Sequence, residues 1–253
     1  MKMMKLFGLC ACVFSLALFC GKDKGTNTNG IQPGAVSDYS DTLALRAILD
    51  ANGLTTIKAG DHSIATMMMV NGNIHRIKEL TLQNKGITII PARIKELTAM
   101  QILRLDTNSI AALPAEIGSC TSLVRIQMSN NQLATIPAEL SSLHSLTTLI
   151  LSHNAISSLP PSLWTITSLT QLDLDYNQLD SLSAQVSNLV NLYRLSLNNN
   201  ALTTLPQSLN TITGLEWLDI SYNAICVGTL LSTFVGWLDI RDPGWETTQG
   251  TCP

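Results

Sequence analysis

The sequence predicts an α/β solenoid, a strongly curved arc of stacked coils with short parallel strands on its concave face and 3-10 or irregular turns on its convex face. Three observations predict it. From Ile77 to Gly214 the chain divides into six consecutive units of 23 residues with no insertion or deletion between them. Their ninth position is Asn108, Asn131, Asn154, Asn177 and Asn200 from the second unit on, and Asn223 follows in a seventh, partial unit. Their fifteenth is Pro91, Pro114, Pro137, Pro160 and Pro206, with Ser183 the single exception. Leucine-like residues at positions 1, 4, 6, 11, 14, 18 and 21 complete a pattern that composition alone does not generate.

Residues 1–19 form a separate object. Lys2 and Lys5 precede an apolar run from Leu6 to Phe19, which is short for a membrane-spanning helix and suited to the apolar stretch of an export signal. Residues 20–37, rich in Gly, Asn and Thr up to Gly34, read as a flexible tether. Cys20, where the apolar run ends, resembles the lipidated cysteine of bacterial lipoproteins. That resemblance implies an anchored lipoprotein at the cell surface, the outer membrane or the periplasm, touching the membrane only through its lipid; plain secretion is the alternative.

Residues 38–76 read as an N-terminal cap. Apolar residues Leu43, Leu45, Ala47, Ile48 and Leu49 follow helical spacing, with Asp38 or Ser40 as N-cap and Gly53 as the stop. Leu54 to Ala59 is expected to be extended and Ile64 to Val70 a strand. Asn71-Gly72 supplies a hairpin turn that returns the chain through Ile74 and Arg76. A solenoid needs such a cap because its first coil would otherwise expose an apolar end.

Within each repeat of residues 77–225, positions 4 and 6 point inward from a strand, as Leu172 and Leu174 do, and positions 5 and 7 point to the concave solvent side. The asparagine at position 9 suits a turn, because its amide can both donate to and accept from backbone groups. Lys85 stands there in the first unit, which makes that turn the least regular. Proline at position 15 fixes φ and lacks an N–H, which suits the start of a short helical turn and argues against long outer helices. Cys120 occupies position 21 and reads as a buried free thiol.

Residues 226–253 break the pattern and read as a C-terminal cap, with Leu230, Leu231, Phe234, Val235, Trp237 and Leu238 in an amphipathic segment before the turn Asp242-Pro243-Gly244. Cys226 and Cys252 bracket the cap and are expected disulfide partners in an exported chain, with free thiols as the alternative. The repeat pattern from Ile77 to Ile225 resembles that of leucine-rich repeat proteins, whose horseshoe fold it implies. The run with Trp237, Leu238, Asp239, Asp242, Pro243, Trp245, Thr248, Gln249 and Cys252 resembles the C-terminal cap of bacterial extracellular leucine-rich repeat proteins, and the short proline-containing repeats with Cys20 resemble spirochaetal surface proteins of this type. These likenesses imply a cap core around Trp237 and Trp245, a concave face that binds a protein or peptide, and a partner among host or envelope components.

The variable positions of the strands form columns on that face. Their C-terminal half is the richer, with Ile150, His153, Asp173, Asp175, Tyr176, Tyr193, Arg194, Trp217, Asp219 and Tyr222 as candidate partner-binding residues. Aromatic residues and arginine on a polar surface are the composition of protein-binding hot spots. Arg194 is also a candidate counter-ion for Asp173 and Asp219, and Trp217 is expected to face solvent unless the cap folds over it. Trp164, at position 19, is expected to be exposed on the convex side, where it favours the alternative of a structural, self-associating envelope protein.

The formal net charge of −3 argues against a nucleic-acid partner. No metal or cofactor motif is present; Asp173 and Asp175 alone make a poor cation site. None of the four histidines is placed by the pattern beside a nucleophile, and no phosphate-binding loop or catalytic serine motif occurs, so a non-enzymatic module is expected.

Overall fold

The computed structural model describes residues 36–55, 64–70 and 74–250. The expected export signal, Cys20, residues 20–35 of the expected tether, residues 56–59 of the expected extended stretch, the Asn71-Gly72 turn and Cys252 lie outside the described residues.

Helix α1, Val36–Ala51, starts earlier than its apolar spacing suggests, so Asp38 and Ser40 sit within its first turns and neither is its N-cap. Gly53 ends it as expected. At φ 68° it lets the Leu54 N–H reach the Leu49 carbonyl (2.9 Å) and its own N–H reach that of Asp50 (3.1 Å), the paired closure that satisfies the last carbonyls of a helix. Ala44, Leu45, Ile48 and Leu49 are buried against the first coil. Asp41, only 2% exposed, fixes the docking: one oxygen accepts from Arg76 Nε (2.9 Å) and the other from the Ile77 N–H (2.8 Å).

Strand β1, Ala65–Val70, pairs antiparallel with β2, Ile74–Thr81, which turns the chain into the solenoid. The repeat strands then stack in parallel as β3 Ile102–Arg104, β4 Arg125–Gln127, β5 Thr148–Ile150, β6 Gln171–Asp173, β7 Arg194–Ser196 and β8 Trp217–Asp219. Sheet order equals chain order, and every partner lies one repeat away, as Leu149 opposite Leu172. The convex side carries 3-10 turns, Ala92–Glu96, Ala115–Ser119, Ala138–Ser142, Pro161–Thr165, Ala184–Asn188 and Gln207–Thr211. Where Ser183 replaces the preceding proline, its φ of −64° matches the prolines, and its side chain accepts from the Gln185 N–H, which they cannot do.

One asparagine per coil closes the turn after each strand. Asn177 is typical: its Oδ1 accepts from the Ile156 N–H (3.0 Å), and its Nδ2 donates to the carbonyls of Leu151 and Leu174 (3.0 Å each). Asn108, Asn131, Asn154, Asn200 and Asn223 repeat this pattern. Asn108 also accepts from the Lys85 N–H, in the one turn that adds a left-handed Gly86 (φ 68°), the irregularity expected there. Cys120 is buried and free, as expected; its thiol donates to the Ile94 carbonyl, and burial pushes its pKa up to about 12.

After the last repeat, helix α2, Ser232–Arg241, and a 3-10 turn, Trp245–Thr248, cover the end of the stack. Trp245 is fully buried and donates from Nε1 to Asp239, while Trp237 is half-buried between Phe234 and the Arg241 guanidinium. Gln249 stands in for the asparagine of an absent eighth coil: its Oε1 accepts from the Ile225 N–H (3.1 Å) and its Nε2 donates to the Ile220 carbonyl (3.1 Å). Asp242 mirrors Asp41 by accepting from the Ile220 N–H (2.8 Å). Cys226 is disulfide-bonded.

The expected exposure of Trp164 is corrected. It is 2% exposed, folded down beside Leu159, Leu182 and Ser183. Position 19 carries small residues in the neighbouring coils, Ser141 and Ser187, so the indole has room to lie along the surface of the stack instead of standing off it. The feature that favoured self-association through the convex face is therefore buried.

Replacing Asn177 with alanine leaves the Ile156 N–H without a partner in a buried turn and takes one of two donors from each of the Leu151 and Leu174 carbonyls, which keep Asn154 and Asn200, and is expected to destabilise the fold by about 1–3 kcal/mol. Chemical denaturation measures this, and a loss of only a few tenths would show that water satisfies the turn without the amide.

Candidate binding face

Strand alternation directs positions 3, 5 and 7 of every coil onto the concave face. In the N-terminal half these side chains satisfy one another. Glu79 pairs with Arg104, whose Nε donates to Gln127 Oε1 (2.9 Å), and Gln83 donates to Asp106.

The C-terminal half differs in how many carboxylates it gathers. The N–H at position 7 lies beyond the three-residue strands, and a carboxylate supplies its acceptor there, as Asp106 does once in the N-terminal half for the Ser129 N–H (2.9 Å). Asp173 Oδ1 accepts from the Asp175 N–H (3.2 Å), Asp175 Oδ1 from the Asn198 N–H (3.0 Å), and Asp219 Oδ1 from the Ser221 N–H (3.1 Å). Asp175 also takes the Ser196 hydroxyl, and Asn198 Nδ2 ties Asp219 into the network (2.9 Å). This gives the two closely spaced aspartates a structural reason that spacing alone did not reveal.

The carboxylates are crowded and partly removed from water. Burial, chiefly, pushes Asp175 up to about 6, with the charges of Asp173 and Asp219 adding to it against the Ser196 and Asn198 hydrogen bonds. Burial likewise raises Asp173 and, at the adjoining cap, Asp242. Among the described residues no set of three metal-ligating side chains converges there.

Arg194 acts on Asp173 at a distance, its charge opposing the rise that burial imposes on that carboxylate, without a direct salt bridge. It forms no ion pair among the described residues; its guanidinium lies 3.7 Å from the centre of the Trp217 ring, and its buried Nε has no hydrogen-bond partner. Trp217 is accordingly half-buried, with one face closed by arginine.

The aromatic residues at position 8 have a feature that periodicity did not disclose. Every residue there is left-handed: Asn84, Thr107, Asn130, His153, Tyr176, Asn199 and Tyr222 have φ between 51° and 58°. Asparagine tolerates this conformation, whereas a bulky side chain there costs on the order of 1 kcal/mol. His153 and Tyr176 stack with ring centroids 4.0 Å apart and planes within 10°, and Tyr222 is 62% exposed on the same rim. The recurrence of Asn84, Asn130 and Asn199 was the signal that could have located the left-handed turn.

The structure therefore brings Asp173, Asp175 and Asp219 into one network, His153 and Tyr176 into one stack, and Arg194 and Trp217 into another. Ile150, half-buried on β5, adjoins Asp173 across the sheet. Tyr193 is separated from the position 8 rim but not from Arg194 and Trp217: it precedes β7, its carbonyl accepts the Trp217 N–H (3.1 Å), and it is exposed at the opposite rim, about 20 Å of extended chain from position 8. Asp41 and Gln249, which hold the caps on the stack, have roles that the repeat pattern did not show, because each acts only once.

A sequence profile described as Leucine rich repeat matches residues 98–156, 121–179 and 167–225. Comparison with curated proteins gives no match. Among solved structures, a Leptospira interrogans leucine-rich repeat protein is similar at 27% identity and TM-score 0.52, over 64% of this chain and 46% of its own. A plant ice-binding protein is similar at 25% identity and TM-score 0.66, over 74% of this chain and 64% of its own. A plant peptide hormone receptor, solved in complex with RGF2, is similar at 30% identity and TM-score 0.51, over 58% and 25%. The chain thus spans less than two thirds of the length of each.

The raised pKa of Asp175 gives a prediction with a definite sign. The folded state holds this proton more tightly than the unfolded chain, so the group favours folding at low pH, and that contribution is lost as pH rises through about 6. Asp175→Asn keeps an oxygen for Ser196 and Asn198. It is expected to be more stable than wild type at about pH 7.5, by roughly 1 kcal/mol after solvent screening, with the gap closing towards about pH 4. Urea denaturation at both values checks it; a gap independent of pH would refute it.

Proposed function

Because this chain belongs to the leucine-rich repeat family, whose members commonly serve as protein-interaction modules, we propose that it binds a protein partner through the C-terminal half of its concave face. The observation that carries the proposal is the set of aromatic side chains held where the backbone does not favour them. Tyr176 and Tyr222 occupy left-handed positions that Asn84, Asn130 and Asn199 fill at less cost, with His153, which tolerates the conformation, stacked on Tyr176; since Thr107 holds the same backbone away from this face, it is the clustering of the rings together with the strain that marks this half. Together with the Arg194–Trp217 stack and the exposed Tyr193, they supply rigid aromatic area beside hydrogen-bonding groups. The similar receptor solved with RGF2 supports recognition by this architecture, while the similar ice-binding protein shows that the fold alone does not choose the ligand.

The sequence of residues 1–20 supports export and lipid attachment at Cys20, with the repeats presented outside the cytoplasm to a host or envelope component. Cys226 is then expected to pair with Cys252, since an oxidising compartment preserves such a bond.

Two measurements test these readings. In capture from immobilised serum and matrix proteins, Trp217→Ala combined with Tyr193→Ala is expected to lower recovery of the partner by about tenfold or more, the scale of losing hot-spot residues. Equal recovery would remove the concave site. For the anchor, metabolic labelling with palmitate is expected to mark the wild type and not Cys20→Ala; an unlabelled wild type would end the lipid assignment.

A further inference from the structure

The two halves of the concave sheet differ in how their charges are matched. In the N-terminal half Glu79 has Arg104 as its counter-ion, and Asp106 takes a hydrogen bond from Gln83 in addition to the Ser129 N–H. In the C-terminal half Asp173, Asp175 and Asp219 enter no ion pair among the described residues, and the arginine on that sheet is stacked on Trp217. The candidate face is therefore bounded by aromatic residues and carries three carboxylates against one arginine, whose charge acts on Asp173 without pairing with it directly.

The hydrogen bonds also orient that charge. Asp173 and Asp175 each direct Oδ1 to a backbone N–H, while Oδ2 of each has no donor among the described residues. Both carboxylates are held from the backbone side, leaving one oxygen apiece on the concave side. Strands β5 to β8 span about 14 Å, the reach of roughly four or five extended residues.

From this we propose that the C-terminal half of the concave sheet takes an extended, lysine- or arginine-bearing segment of the protein partner, its cationic side chains meeting the outward oxygens of Asp173 and Asp175 between the His153–Tyr176 stack and Trp217. The proposal rests on the reading of this face as a protein-binding surface and adds the chemistry of what it binds. An acidic segment would meet three carboxylates and find the nearest guanidinium engaged with an indole. A basic one gains charge-assisted hydrogen bonds and aromatic faces for its alkyl stems or guanidinium planes.

The test is fluorescence anisotropy with a labelled octapeptide of alternating lysine and alanine, and with its glutamate counterpart, each titrated with the whole chain at low and high salt. The lysine peptide is expected to bind at least about tenfold more tightly than the glutamate peptide at low salt and to lose that advantage at high salt. Asp173→Asn with Asp175→Asn retains the backbone acceptors and is expected to abolish the preference, whereas Asp106→Asn in the N-terminal half leaves it intact. No binding of the lysine peptide, or binding indifferent to the double substitution, overturns the proposal. Preference for the glutamate peptide that is lost in Trp217→Ala overturns the charge assignment but leaves the face as a protein-binding surface. A partner whose capture ignores Trp217 and Tyr193 removes both.

Discussion

The coils stack because a single amide per turn resolves the backbone groups that the strands leave over. Each strand from β3 to β8 is three residues long, after which the chain must turn while its N–H and C=O groups remain inside the molecule. An asparagine at position 9 reaches both ways: it accepts from the preceding coil and donates to carbonyls of two coils. The fixed 23-residue phase follows, since a coil one residue longer would move its amide out of reach of the next. The ladder must also end somewhere, and Gln249 supplies the terminal amide, one methylene longer, from a cap that lacks the repeat's geometry. Asp41 and Asp242 do the corresponding work for single N–H groups at the two ends.

The same demand shapes the concave face. Position 7 lies past the strand ladder, and in the C-terminal coils aspartates accept from it. That arrangement satisfies the N–H groups but concentrates like charges in a partly dehydrated layer, and the raised pKa of Asp175 is its measurable consequence. Among the described residues of the N-terminal half Asp106 alone accepts from such an N–H, that of Ser129, and Gln83 donates to it, so the crowding of carboxylates is confined to the C-terminal coils.

Features that recur were legible in the sequence, and those that occur once were not. Repeated Asn and Pro fixed the phase of the coils, the strand positions and the outer 3-10 turns. The roles of Asp41 and Gln249 depend on three-dimensional proximity to a terminal coil, for which no second copy exists to reveal a pattern. Trp164 illustrates a different limit: register places its Cα on the convex side, but the path of a long side chain depends on the size of its neighbours, and here it lies down against Leu159 and Leu182. On the binding face, residue types identified the aromatic and acidic half, whereas the left-handed turn, the arginine–indole stack and the N–H ladder under the aspartates are conformational facts that a list of residues does not contain.

Left-handed backbone at position 8 links that conformation to selection between stability and recognition. The turn is present in all seven coils, so its strain is a fixed property of the fold, and asparagine at three of them relieves it locally. At Thr107, Tyr176 and Tyr222 the β-branched or bulkier side chain retains the strain, and Tyr176 recovers part of it by stacking on His153. An exposed tyrosine at Tyr222 gains no such contact within the described residues, so the folded chain alone is better served by asparagine there. Thr107 shows that the turn also carries an unfavourable residue away from this half, so what sets the C-terminal rim apart is that its rings are held in fixed directions and leave Tyr222 exposed, the property on which the proposed binding face relies.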